Sequence, residues 1–68
     1  MKYSILIQWS EEDQAYIASL PEWGEYAHTH GDTYDEALEN AKEVLADLVY
    51  GYQQVGKSLP NPQTIQVL

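Results

Sequence analysis

The stretch that decides the fold is Gly31-Asp32-Thr33-Tyr34-Asp35-Glu36-Ala37-Leu38-Glu39-Asn40-Ala41-Lys42-Glu43. Thr33 and Glu36 stand three residues apart just ahead of an apolar run. That is the spacing of a capping box: the Thr33 hydroxyl accepts from the Glu36 amide, and the Glu36 carboxylate reaches back to the Thr33 amide. From here Tyr34, Ala37, Leu38, Ala41, Val44, Leu45, Leu48, Tyr52 and Val55 recur at three- and four-residue steps, making one stripe on one helix. The pattern predicts a helix through to Val55 with Gly56 as its C-terminal cap. Gly51 costs that helix ~1 kcal/mol relative to alanine, so a stop at Gly51 is the alternative.

Upstream the period changes to two. Over residues 2–9, Tyr3, Ile5, Ile7 and Trp9 fall on one face, with Lys2, Ser4, Leu6 and Gln8 on the other, as in a strand apolar on one side. Ser10 to Gln14 is short and polar and suits a hairpin connection. Residues 15–20 form a second strand, with Tyr16, Ala18 and Leu20 on one face. Pro21 ends it, because proline has no ladder donor. Pro21-Glu22-Trp23-Gly24 reads as a loop, and Glu25 to His30 as a third strand that Gly31 breaks. Beyond the helix, Pro60-Asn61-Pro62 is an extended linker, and Thr64 to Leu68 alternates as a short last strand.

The elements therefore run β-β-β-α-β in one domain, residues 1–68, of the α+β class. Two hairpins make the first three strands a meander, and the long helix returns the chain along one sheet face. The fourth strand can lie beside the first or the third. The order 3-2-1-4 is expected, because it places the most apolar strand in the centre; the order 1-2-3-4 leaves that strand at an edge.

Composition narrows the function. The chain has no cysteine, which removes disulfides and thiolate metal sites and fits a reducing cytosol. No basic leader is present, and no apolar run approaches the ~18 residues of a membrane span, so a cytoplasmic, untargeted protein is expected. Eleven acidic residues face three lysines and no arginine, for a net charge of −8. A chain of that balance is repelled by phosphate backbones, so direct nucleic-acid binding is not expected. A basic protein is its natural complement.

The run Gly31 to Glu43 resembles the G-D-T-x-E-E-A-x-x-N-A-x-E core of HicB antitoxin domains. Gly56-Lys57-Ser58-Leu59-Pro60-Asn61-Pro62 is similar to that family's G-x-x-x-P-x-P segment, and the resemblance covers nearly the whole chain. It implies a partial ribonuclease-H-like fold, in agreement with the 3-2-1-4 order. It also implies binding and inhibition of a small basic HicA-type ribonuclease toxin. Typical members append a helix-turn-helix or ribbon-helix-helix module; none is read here, and operator binding is not expected. The loop Leu20-Pro21-Glu22-Trp23-Gly24-Glu25 departs from the family's P-x-L-P-G-C-like stretch. Some short HicB-like proteins have no known toxin, so an orphan module that self-associates is the alternative.

Candidate sites follow from this reading. Asp35, Glu39, Glu43 and Asp47 recur every four residues as an acidic ridge, either a solvated face or a docking surface for a basic partner. Three successive like-charge pairs at ~0.2–0.5 kcal/mol each oppose the helix. Trp23 and Tyr26, with Pro21, Tyr50 and Tyr52, add aromatic surface of the kind that anchors interfaces. Trp23, Tyr26, Glu39, Glu43 and Asp47 are the expected partner-binding residues, and Thr33 and Glu36 the structural cap. One helix covers one sheet face only, which leaves Leu6 and either Ile17 or its neighbours partly open and favours a homodimer or higher even oligomer. His28 and His30 share a face, but two ligands at this spacing are a weak metal pattern, and no metal or cofactor is expected. The first strand carries no carboxylate of the kind that metal-dependent ribonuclease chemistry needs, so no enzyme is expected.

Overall fold

The computed structural model describes residues 1–67. Strand β1 spans Leu6–Ser10, β2 Ala15–Ser19 and β3 His28–Gly31, and helix α1 spans Tyr34–Gln54. A short 3-10 turn, Pro21–Trp23, lies between β2 and β3. The strands make an antiparallel sheet in the order β1-β2-β3, and α1 lies across one face of it, so the fold is α+β.

The capping box forms, with one change of partner. The Glu36 amide donates to Thr33 Oγ1 at 3.0 Å, while the Glu36 carboxylate accepts from the Asp32 amide at 2.9 Å rather than from that of Thr33. Asp35 and Glu36 sit in the first turn, where the helix dipole favours negative charge. The helix passes through Gly51 and ends as a Schellman motif. Gly56 is left-handed at φ 68°, its amide donates to the Gln53 carbonyl at 3.3 Å, and the Lys57 amide donates to the Tyr52 carbonyl at 2.9 Å.

The hairpin between β1 and β2 turns over Glu11–Gln14. Gln14 takes φ 52°, and its side-chain amide donates to the Glu11 carbonyl at 2.7 Å. Ser10 Oγ accepts from the Asp13 amide at 3.1 Å. Pairing of Leu6 with Ser19 and of Trp9 with Tyr16 puts Ile5, Ile7, Trp9, Tyr16 and Ala18 on the helix side. The core there is small: Ala18, Leu20, Ala37, Ala41 and Leu45 are buried, with Ile5, Ile7, Val44 and Leu48 against them. Alanines at the contact let the helix approach closely, and Gly31 sets the limit. A Cβ on Gly31 would overlap the Ala37 amide nitrogen and stand 2.8 Å from the Glu36 carbonyl carbon. The Asn40 side chain donates to the His30 carbonyl at 2.8 Å, tying the helix to the edge strand β3.

Three further expectations change. The first strand begins at Leu6 rather than near residue 2, because the Ser4 amide bonds to the Glu22 carboxylate instead of a strand neighbour. The third begins at His28 rather than Glu25. Gly24 turns the chain at φ 100°, and the Ala27 amide bonds back to the Gly24 carbonyl at 3.2 Å. Among the described residues there is no fourth strand and β1 is an edge, so the order 3-2-1-4 is not seen. The expected fourth strand runs to Leu68, which lies outside the described residues. Ile65 and Val67 are 88% and 84% exposed, without a ladder to bury one face of the segment.

Candidate functional site

Glu22 is the middle residue of the 3-10 turn that follows β2. Its carboxylate accepts from the Ser4 amide at 3.1 Å to each oxygen, from Ser4 Oγ at 3.0 Å and from the Gln63 amide at 2.9 Å. Burial alone would raise its pKa, but the hydrogen bonds from Gln63 and Ser4 outweigh this and hold the carboxyl below its ordinary value. One side chain thus joins the N-terminal segment, the β2–β3 connection and the C-terminal segment. The Tyr3 hydroxyl adds a second tie, donating to the Pro60 carbonyl at 2.7 Å.

Beside this clamp the structure places Trp23. Its ring centroid lies 5.1 Å from that of Tyr3 and 5.0 Å from that of Tyr52, and the Lys57 ammonium sits 4.6 Å from the Tyr52 centroid. Trp23 is therefore half-buried in an aromatic cluster. Its indole nitrogen is buried without a hydrogen-bond partner among the described residues. Tyr26 stands apart from this packing, 86% exposed in the turn before β3.

Glu39, Glu43 and Asp47 are exposed on the helix, away from Ala37, Ala41 and Leu45 that it buries. Lys42 pairs with Glu39 at 3.4 Å, and both groups are largely solvated. An exposed pair of this kind contributes ~0–1 kcal/mol and leaves the ridge acidic. The ridge and the Trp23–Tyr26 connection are separate features: one is a helix face, the other a loop.

Among the described residues, no element covers the sheet face opposite the helix. Leu6 is 49% exposed there. Asp13, Ala15, Ile17, His28 and His30 line an open concavity of about 320 Å³. His30 is directly opposite Ile17, and His28 opposite Ser19. No group of three or more His, Cys, Asp or Glu is placed to hold a metal ion among the described residues. Nor is any helix there long and apolar enough to cross a membrane.

Sequence reasoning missed two features. Glu22 looked like one more loop acid, and nothing local connects it to Gln63, 41 residues away. Trp9 fell on the apolar face of β1 and so read as core. The helix packs chiefly over β3 and β2 and only grazes β1, which leaves Trp9 45% exposed. Its position at the last turn of the strand was the available signal.

Comparison with known proteins finds no matching family model, no matching curated protein and no matching solved structure. The resemblance to HicB domains therefore rests on the residues quoted above.

Proposed function

We propose that this chain is a cytoplasmic, non-enzymatic protein-binding domain of the HicB antitoxin-like kind, which binds and neutralises a small basic HicA-type ribonuclease toxin. The observation that carries the reading is the outer face of α1. Glu39, Glu43 and Asp47 stand exposed on it in a chain of net charge −8, with Lys42 as the one cation among them. Charge of this kind speeds encounter with a basic partner and weakens with salt, while packed aromatic side chains set the dissociation rate. Trp23 and Tyr26 are the proposed aromatic contacts. Nucleic acid, membrane and cofactors have no part in this reading.

In the partial ribonuclease-H-like form of this fold, the tail from Thr64 onward adds a fourth strand beside β1, in the order 3-2-1-4. Two features support it. The free edge of β1 is open, and Glu22 holds Gln63 next to Ser4, where that edge begins. A tail running on from there would lie parallel to β1, with Ile65 and Val67 on a common face.

A second reading, an orphan module that only self-associates, is favoured by the uncovered sheet face around Leu6 and Ile17. Both readings include a homodimer or higher even oligomer, and sedimentation showing monomer alone at high micromolar concentration would remove that element.

Co-expression with whatever small basic protein an adjacent gene encodes tests the main reading. The expected result is a co-purifying complex, loss of the partner's RNA cleavage, and slower association with flatter salt dependence when Glu39 and Glu43 are changed to Lys. If the partner neither co-purifies nor loses activity, the antitoxin reading fails and the orphan-module reading replaces it.

A further inference from the structure

The end of the molecule at the β1–β2 hairpin carries a ladder of three aromatic rings. The Trp9 and Tyr16 centroids lie 5.0 Å apart, and those of Tyr16 and Tyr34 lie 4.4 Å apart. The middle ring is half-buried, while Trp9 is 45% and Tyr34 58% exposed, so the ladder presents its two outer rings to solvent. Strand register explains the assembly. Tyr16 is opposite both Trp9 on β1 and Gly31 on β3, and the chain leaves Gly31 directly into Asp32, Thr33 and Tyr34.

The charge around the ladder has one sign. Glu11, Glu12 and Asp13 follow Trp9 in the hairpin turn, and Asp32, Asp35 and Glu36 flank Tyr34 at the helix start. No lysine occurs in either segment. The opposite end of the protein shows what an aromatic face does when a cation is within reach: Lys57 sits over Tyr52 at 4.6 Å. Trp9, the best ring type for a cation, has no such partner among the described residues.

The geometry points to the Trp9–Tyr16–Tyr34 ladder as the seat for an arginine or lysine side chain of a basic protein partner. The inference rests on the proposal that this chain binds a basic protein, and it identifies a surface that meets the acidic ridge of α1 only at Asp35. The exposed ring faces attract the cation through their quadrupoles. The carboxylates on either side raise its local concentration, and arginine is favoured because its flat guanidinium stacks on a ring.

The test uses NMR of the intact chain, in which the two tryptophans give two indole N–H signals. The probe is an acetylated, amidated arginine–glycine nonapeptide, with its citrulline counterpart as an uncharged control. The Trp9 indole and the Tyr34 ring signals are expected to move saturably with the arginine peptide, while the Trp23 indole stays still and citrulline has no effect. Trp9→Leu and Tyr34→Leu keep apolar bulk but remove the ring face, and each should weaken binding roughly two- to fivefold. Unchanged affinity in both variants would overturn the proposal. Shifts confined to the amides of Glu39, Glu43 and Asp47 would also overturn it, while leaving the acidic-ridge reading intact. Absence of any saturable shift at low salt would sink both the ladder and the attraction for basic partners on which it rests.

Discussion

Glu22→Gln isolates the most connected polar contact in the structure. The carboxylate serves the Ser4 amide, the Ser4 hydroxyl and the Gln63 amide at 2.9–3.1 Å. Glutamine has nearly the same shape, but one of its two terminal groups is an NH2 that cannot accept. With its oxygen in the Oε2 position the glutamine still meets all three donors, but its NH2 then faces the Ser4 amide, which lies 3.1 Å from Oε1 in the parent, and the charge that strengthened every bond is gone. Hydrogen bonds to a charged group contribute about 1.5–3 kcal/mol, and partial solvent access at this half-buried position brings the expected loss to about 1–2 kcal/mol at pH 7. For a domain of this size each 1 kcal/mol moves the melting temperature by roughly 4–8 °C.

The pH dependence supplies the discriminating measurement. The folded-state pKa of Glu22 is lowered, so its contribution is fully present above the pKa of the unfolded chain, near 4.5, and disappears as pH falls through the depressed folded value. Urea unfolding of both proteins, followed by tryptophan fluorescence between pH 7 and pH 2 at low protein concentration, should show a stability gap that closes at the acid end. The Ser4 and Gln63 amide resonances should titrate in the same window in the parent protein and not in the variant. A gap of constant size across that range, or a Gln63 amide indifferent to pH, would refute the assignment of the clamp to the ionised carboxylate.

Two glycine substitutions should act in opposite directions, as read from urea midpoints. Gly31→Ala drives a methyl into the backbone of Ala37 and should destabilise by at least the ~1–3 kcal/mol typical of overpacking. Gly51→Ala meets nothing within 4 Å in the middle of a helix and should stabilise by up to ~1 kcal/mol. Thr33→Ala removes the acceptor of the Glu36 amide and should cost about 0.5–2 kcal/mol; an unchanged midpoint would remove the capping assignment.

The difference between those glycines also shows how far local reading reaches. Gly56 could be read as a helix end because a left-handed residue after the last apolar position is a local requirement. Gly51 could be passed over because the stripe continues beyond it to Tyr52. The need for glycine at 31 is another matter. It arises from how closely α1 approaches β3, a distance set by Ala18, Ala37 and Ala41 together. The candidate site divides in the same way. The ridge Glu39–Glu43–Asp47 follows from a period of four on a helix, whereas the packing of Trp23 between Tyr3 and Tyr52 joins three distant segments.

What the amino-acid sequence determined by itself was the class and order of the first four elements, the hairpin at Glu11–Gln14, the start of α1 at Thr33 and its end before Gly56. Each depends on interactions within a few residues: a hydroxyl three positions from an amide, an alternation of two, a repeat of three and four. Only the tertiary structure decided where β1 and β3 begin, what Glu22 binds, and that Trp9 faces solvent on the helix side of the sheet. The first two depend on backbone donors finding partners outside the strands, at Glu22 and Gly24, and the last on which strip of the sheet a single helix covers. Because α1 settles over β3 and β2, the end of β1 lies beyond the helix with its aromatic ring uncovered.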